Sequence, residues 1–167
     1  MRSIRKFIRT CPKREVVMAY EGEYLLYCPV NPFDLGHANA VVVSGDWPNT
    51  WGHMLLNTGG IGGMYFQVAG VHAVPRYLTE EGYRRYLKET GKTELRRFPV
   101  YIKNPDAAMS KLEELLAKPW SWWVVRHNCE TFVEEIIMAG GGRPIHKGYF
   151  YNPSHSRQQT PGASGSW

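Results

Sequence analysis

The sequence predicts an α+β domain, a small antiparallel sheet packed against helices. Runs of β-type composition crowd the first half of the chain, and the clearest helical patterns come after them. The regular strand–helix–strand alternation of a parallel sheet is missing. A chain of 167 residues is long enough for one domain with a real core and too short for two ordinary ones. We place the domain at residues 15–151, between a basic arm at 1–14 and a flexible polar tail at 152–167 rich in Pro, Gly and Ser.

Residues 15–30 have β-type composition, enough for one or two strands. "NPFDLGH" reads as a turn or loop, and 38–44, with three consecutive valines, as a buried strand. After the loop "GDWPNTWG", residues 53–58 and 64–68 form two strands around "GGIGG", a hairpin with a glycine-rich turn. Thr79 caps a helix that runs to Glu89 and stops at Gly91. "RRFPVYI" is a further strand. Asn104 as cap and Pro105 at the first helical position open a second helix, with Leu112, Leu115 and Leu116 on one face. A last helix runs from Asn128 to Ala139 and ends at Gly140-Gly141-Gly142. Phe132, Val133, Ile136 and Ile137 form its apolar stripe, with Glu130, Glu134 and Glu135 off it.

Composition narrows the function. The 43% apolar and 21% charged content is that of a globular protein, and no run approaches the ~20 apolar residues of a membrane span. The basic N-terminus lacks the apolar stretch of a Sec signal. An exported form would travel by a specialised route or within a larger polypeptide. The net charge of +5 gathers in the arm and around Arg84, Arg85, Lys88, Lys92, Arg96 and Arg97. A polyanionic partner, an anionic membrane surface or plain solubility would each account for it. No nucleic-acid motif is present, so no specific nucleic acid is expected. Cys11, Cys28 and Cys129 are odd in number, widely spaced and unsuited to zinc or to a disulfide framework.

Cys129 falls in the first turn of the last helix, where unpaired N–H groups and the helix dipole favour a thiolate. A small buried hydrophobe is the other reading of that position. The choice turns on a histidine base. His146 and His155 lie near or in the tail and His127 is too local, which leaves His37, His53 and His72. Strand parity favours His53. With the turn centred on Ile61, His53, Leu55 and Asn57 share a face with Tyr65 and Gln67, a polar and accessible one. Met54 and Leu56 share the apolar face with Met64, Phe66 and Val68.

"HMLLNTGG", "YFQVAG" and the much later "NCETFV" resemble the circularly permuted NlpC/P60 branch of the papain-like superfamily, and within it the lecithin:retinol acyltransferase-like proteins. The likeness covers residues 51–70 and 126–137. It implies a circularly permuted papain-like fold with Cys129 as nucleophile, His53 as general base and Gln67 as the residue that orients the imidazole. Acyltransferase-like members usually carry a second histidine where this chain has Gln67, and His72 is its competitor for the third position.

The chemistry implied is acyl transfer through a thioester, with no metal and no cofactor. One substrate is a phospholipid ester at a membrane surface, which Trp47, Trp51, Trp120, Trp122 and Trp123 near the site segments would suit. Another is a peptidoglycan peptide amide, the substrate of unpermuted NlpC/P60 enzymes. A non-catalytic interaction module on the same fold is the third reading. By analogy the chain is expected to act as a bacterial antibacterial effector or toxin domain, with an immunity or carrier protein as partner.

Overall fold

The computed structural model of the chain describes residues 23–24, 34–45, 52–59, 63–68, 75–116 and 128–145. The basic arm, the polar tail, the turn at 60–62 and the tryptophan loops at 46–51 and 117–127 lie outside the described residues, as do Cys11, Cys28, His72, His127, His146 and His155.

In chain order the described elements are β1 (Glu23–Tyr24), β2 (Asp34–Val43), β3 (His53–Gly59), β4 (Tyr65–Gln67), β5 (Arg76–Leu78), α1 (Glu80–Thr90), β6 (Glu94–Pro99), α2 (Pro105–Leu116) and α3 (Cys129–Ala139). The strands form one six-stranded sheet in the order β1-β5-β4-β3-β2-β6, with every neighbouring pair antiparallel. The protein is α+β. Among the described residues, no helix is long and apolar enough to cross a membrane.

Both faces of the sheet are covered. Ala40, Val42, Met54, Leu56, Met64, Phe66 and Val68 pack against Leu112 of α2 and against Phe132, Val133, Ile136 and Ile137 of α3. On the opposite face Val41, Val43, Leu55, Tyr65 and Leu78 pack against Tyr83, Tyr86 and Leu87 of α1. The unbroken valine run of β2 follows from this, because alternate side chains enter two different cores. The face carrying Leu55, Tyr65 and Gln67 was expected to be polar and accessible, but all three are buried, Leu55 and Tyr65 against α1. The three Tyr and Leu side chains of α1 that cover these two are spaced like an ordinary surface helix, and nothing local marks their target.

Local signals set most boundaries. Thr79 Oγ1 accepts the Gly82 N–H at 3.1 Å to cap α1, and Gly91 closes it in the left-handed region at φ 67°. Asn104 Oδ1 accepts the Ala107 N–H at 3.2 Å ahead of α2. The hairpin pairs Leu56 with Phe66 and Asn57 with Tyr65, a register symmetric about position 61 as parity requires.

Two expectations need correction, and one strand was not expected at all. "DLGH" is not a loop but the start of β2. Its loop-like character comes from Asp34, whose Oδ1 accepts the Gly36 N–H at 2.7 Å, and from a bulge that displaces the register between Asp34 and Asn39. The strand placed at "RRFPVYI" starts earlier and ends at Pro99, tolerated because β6 is an edge strand of the described sheet. The short strand β5 carries no pattern long enough to read, yet it pairs with both β4 and β1.

Candidate active site

Cys129 and His53 each begin an element, α3 and β3 respectively. The start of α3 is fixed by a reciprocal cap. Asn128 is extended, its Oδ1 accepts the Thr131 N–H at 3.0 Å, and its own N–H donates to Thr131 Oγ1 at 2.9 Å. The start of β3 is fixed by Gly52, whose φ of 95° lies where side-chain-bearing residues rarely go. A sharp entry at Gly52 and a capped helix start thus meet at one end of the sheet.

The two side chains touch there. The His53 ring hydrogen-bonds the Cys129 sulfur, and the backbone N–H groups of Met54 and Glu130 donate to the same sulfur. His53 Nε2 lies 2.8 Å from Gln67 Oε1, so Nδ1 is the ring nitrogen left for the thiol. Gln67 closes β4 and is 1% exposed, and its Nε2 has no hydrogen-bond partner among the described residues. Turning its carbonyl to the ring is what allows the imidazole to carry both protons.

Electrostatics follow from these contacts. Burial pushes the Cys129 thiol up, but the His53 charge, the His53 hydrogen bond and the two backbone N–H groups outweigh it and hold the thiol below its ordinary value. Burial likewise opposes charge on His53, while Cys129 and Gln67 favour it, and the net pKa is raised; the Lys92 charge opposes this rise. Both residues remain half-buried, shielded and still in contact with the surface. Both shifts run in the direction that favours a thiolate beside an imidazolium.

Compared with known proteins, the chain matches no family model, no curated protein and no solved structure. The chemistry open to these side chains follows from their arrangement alone.

The other expected participants fall elsewhere. His37 lies at the opposite end of the β2–β3 pair, near the Asp34–Gly59 pairing, whereas Val43 pairs with His53. Its Nδ1 is 2.5 Å from Asp34 Oδ2 on the exposed surface, which removes it as a base for Cys129. Glu130, read as lying off the apolar stripe, is buried in the first turn of α3. Much of the second basic cluster is already matched by acids: Arg84 with Glu80, Arg85 with Glu89 and Arg97 with Glu94. That cluster is a laced surface rather than a free cationic patch.

The site also has parts the sequence did not announce. The Met54 and Glu130 N–H groups are backbone donors with no residue-type signature. Arg76 is buried and stands opposite Gln67 in the β4–β5 pairing. Lys92, one cation among many in the sequence, acts on His53. Among the described residues no cluster of His, Cys, Asp or Glu is grouped to hold a metal ion.

Proposed function

We propose that the protein is a cysteine-dependent acyl hydrolase or acyltransferase on the circularly permuted NlpC/P60 plan, acting on phospholipid ester bonds. The observation that carries this reading is the Cys129–His53–Gln67 chain of contacts, with the thiol lowered and the imidazole raised. A buried structural cysteine needs neither a histidine at its sulfur nor an amide acceptor behind that histidine.

The Cys129 thiolate attacks the ester carbonyl carbon, forming a C–S bond as the carbonyl π electrons move to oxygen. N–H groups at the start of α3 would stabilise that oxyanion. Collapse breaks the C–O bond, and the His53 imidazolium gives its proton to the departing alkoxide. The resulting thioester is then attacked by water or by another acceptor, whose proton His53 takes back. Breaking the C–S bond returns the thiolate and releases the acid or the transferred acyl product. Gln67 keeps the ring in the required tautomer throughout.

Lipid is preferred to peptide because the "NCETFV" helix start and the strand histidine are most similar to the acyltransferase-like branch. The same chemistry in an antibacterial effector would damage a target membrane. The deciding experiment incubates wild type and Cys129→Ala separately with phospholipid vesicles and with peptidoglycan fragments, products read by mass spectrometry. Free fatty acid and lysolipid from wild type alone are expected. Peptide release without lipid products would make the protein a cell-wall amidase. No product from either, with Cys129 inert to alkylation, would leave an interaction module.

A further inference from the structure

At the end of the sheet away from Cys129, the chain at 98–101 and at 141–145 forms the two walls of a groove of about 600 Å³. The strand register places it. Pro99 pairs with Asn39, whereas Val43, the partner of His53, pairs with Glu94 at the other end of β6. Cys129 opens α3 and Gly141 lies just past its end, so an 11-residue helix, about 16 Å long, separates groove and thiol.

Two kinds of exposed side chain gather at this groove. Tyr101, in one wall, is 72% exposed, the most of any large apolar side chain among the described residues. Met138, also exposed, stands beside it, because its carbonyl accepts the Gly141 N–H at 2.9 Å. The cations are Arg143, in the other wall, and Lys103, whose Cβ lies 3.5 Å from where a Cβ on Gly141 would sit. Both are exposed, and among the described residues neither side chain enters an ion pair or hydrogen bond. Arg84, Arg85 and Arg97 differ in this respect, each being matched by an acid.

Exposed apolar side chains rimmed by charge mark an interaction surface, and Tyr, Met and Arg are the residue types enriched in protein interfaces. Two unmatched cations, carried on separate segments, suit two carboxylates spaced along a chain better than a single anionic headgroup. A slot between two stretches of backbone likewise suits an extended segment. An anionic membrane would also meet such charges, but docking here would hold the bilayer a helix length away from Cys129. We propose that this groove docks an acidic, extended segment of a partner protein. Apolar side chains of that segment lie between the two walls, and its carboxylates meet Lys103 and Arg143. The docking surface is independent of the acyl-transfer reading.

An array of random dodecapeptides probed with the whole 167-residue chain tests this. Wild type should select peptides enriched in Asp and Glu alternating with apolar residues. Fluorescence polarisation of the tightest binder, carrying fluorescein, then compares variants. Lys103→Glu and Arg143→Glu together should weaken binding roughly tenfold or more, because like charges then face each other. Tyr101→Ala should weaken it by roughly fivefold or more, and Arg143→Lys, which keeps the charge, should retain most of the affinity. Circular dichroism and unchanged iodoacetamide labelling of Cys129 verify that each variant keeps its fold. Added salt should weaken wild-type binding, a readout that needs no variant. Selected peptides without acidic enrichment, binding that survives the double reversal, salt-insensitive binding, or no peptide binding at all would each overturn the proposal. Arg143-dependent binding to phosphatidylglycerol vesicles in place of peptides would also overturn it and make the groove a membrane contact.

Discussion

Gln67 Oε1 lies 2.8 Å from His53 Nε2, and this bond decides how His53 handles its protons. An acceptor at Nε2 keeps a hydrogen on that nitrogen. The neutral ring then presents a bare Nδ1 to the sulfur, and the cationic ring is held at both ends. A histidine in the same place would do this in only one of its tautomers.

Gln67→Leu should accordingly lower kcat on a soluble thioester by roughly ten- to a hundredfold, the equivalent of about 1.5–3 kcal/mol for a hydrogen bond to a charged group. KM should move little, because the lost bond acts on the ring and not on the substrate. Gln67→His, able to accept at the same point, should recover part of the rate. Steady-state kinetics of the two variants decide the matter: equal activity in both would remove Gln67 from the mechanism.

The opposite pKa displacements of Cys129 and His53 fix a pH profile. Thiolate is lost as pH falls through the depressed Cys129 value, and imidazolium is lost as pH rises through the elevated His53 value. Iodoacetamide labelling of Cys129, which needs only thiolate, should rise once with pH and stay fast below the range of ordinary thiols. Acyl transfer also needs the imidazolium proton for the leaving alkoxide, so its rate should be bell-shaped. His53→Ala should slow labelling at pH 6 roughly tenfold for each unit the thiol pKa rises. Labelling that is insensitive to His53 would mean the two groups are not coupled.

Much of this site was legible because its parts are local. The Asn128 cap, the run after it and the parity of the "HMLLNTGG" hairpin are read within a few residues of each other, and the observed register keeps that parity. What escaped the sequence is set by distant packing. The face holding Gln67 looked accessible because its residues alternate with apolar ones, and only the placement of α1 turns it into a second core. Lys92 was one of several neighbouring cations until its bond to Ser44, far away in sequence, set it apart. The same distance effect dissolves the basic patch. Arg97 reaches Asn57 at 3.0 Å and Tyr65 at 2.9 Å, partners on two other strands.

That reach makes Arg97 a structural residue, in contrast to Arg84 on the surface of α1. The Arg97 guanidinium also binds Glu94 at 2.8 Å, and Glu94 in turn accepts the Tyr83 hydroxyl at 2.7 Å. Removing it leaves the buried Asn57 with one partner fewer, and urea unfolding of Arg97→Met should show a loss of about 1–3 kcal/mol. Among the described residues Arg84 pairs only with Glu80, and its side chain is 76% exposed, so Arg84→Met should fall within about 0.5 kcal/mol of wild type. Similar losses in the two variants would contradict the network.

The helix cap offers a way to separate fold from reactivity at the nucleophile. Asn128 holds the first turn of α3, and that turn supplies the Glu130 N–H to the Cys129 sulfur. Asn128→Ala removes the side-chain acceptor for Thr131, which should cost roughly 0.5–2 kcal/mol and fray the turn. Thiol reactivity should drop with it, since the backbone donor is no longer fixed. Asn128→Asp keeps an oxygen for the Thr131 N–H, and a negative charge is welcome at a helix start, so stability should hold. The same charge sits next to the thiolate in sequence and repels it, so the Cys129 pKa should rise and labelling at pH 6 should slow. The two substitutions therefore predict different pairs of results: lower stability with lower reactivity for alanine, retained stability with lower reactivity for aspartate. Urea unfolding and iodoacetamide kinetics on both proteins read them out. Full reactivity in the aspartate variant would show that the start of α3 does not tune the thiol, leaving His53 and the Met54 N–H to depress it.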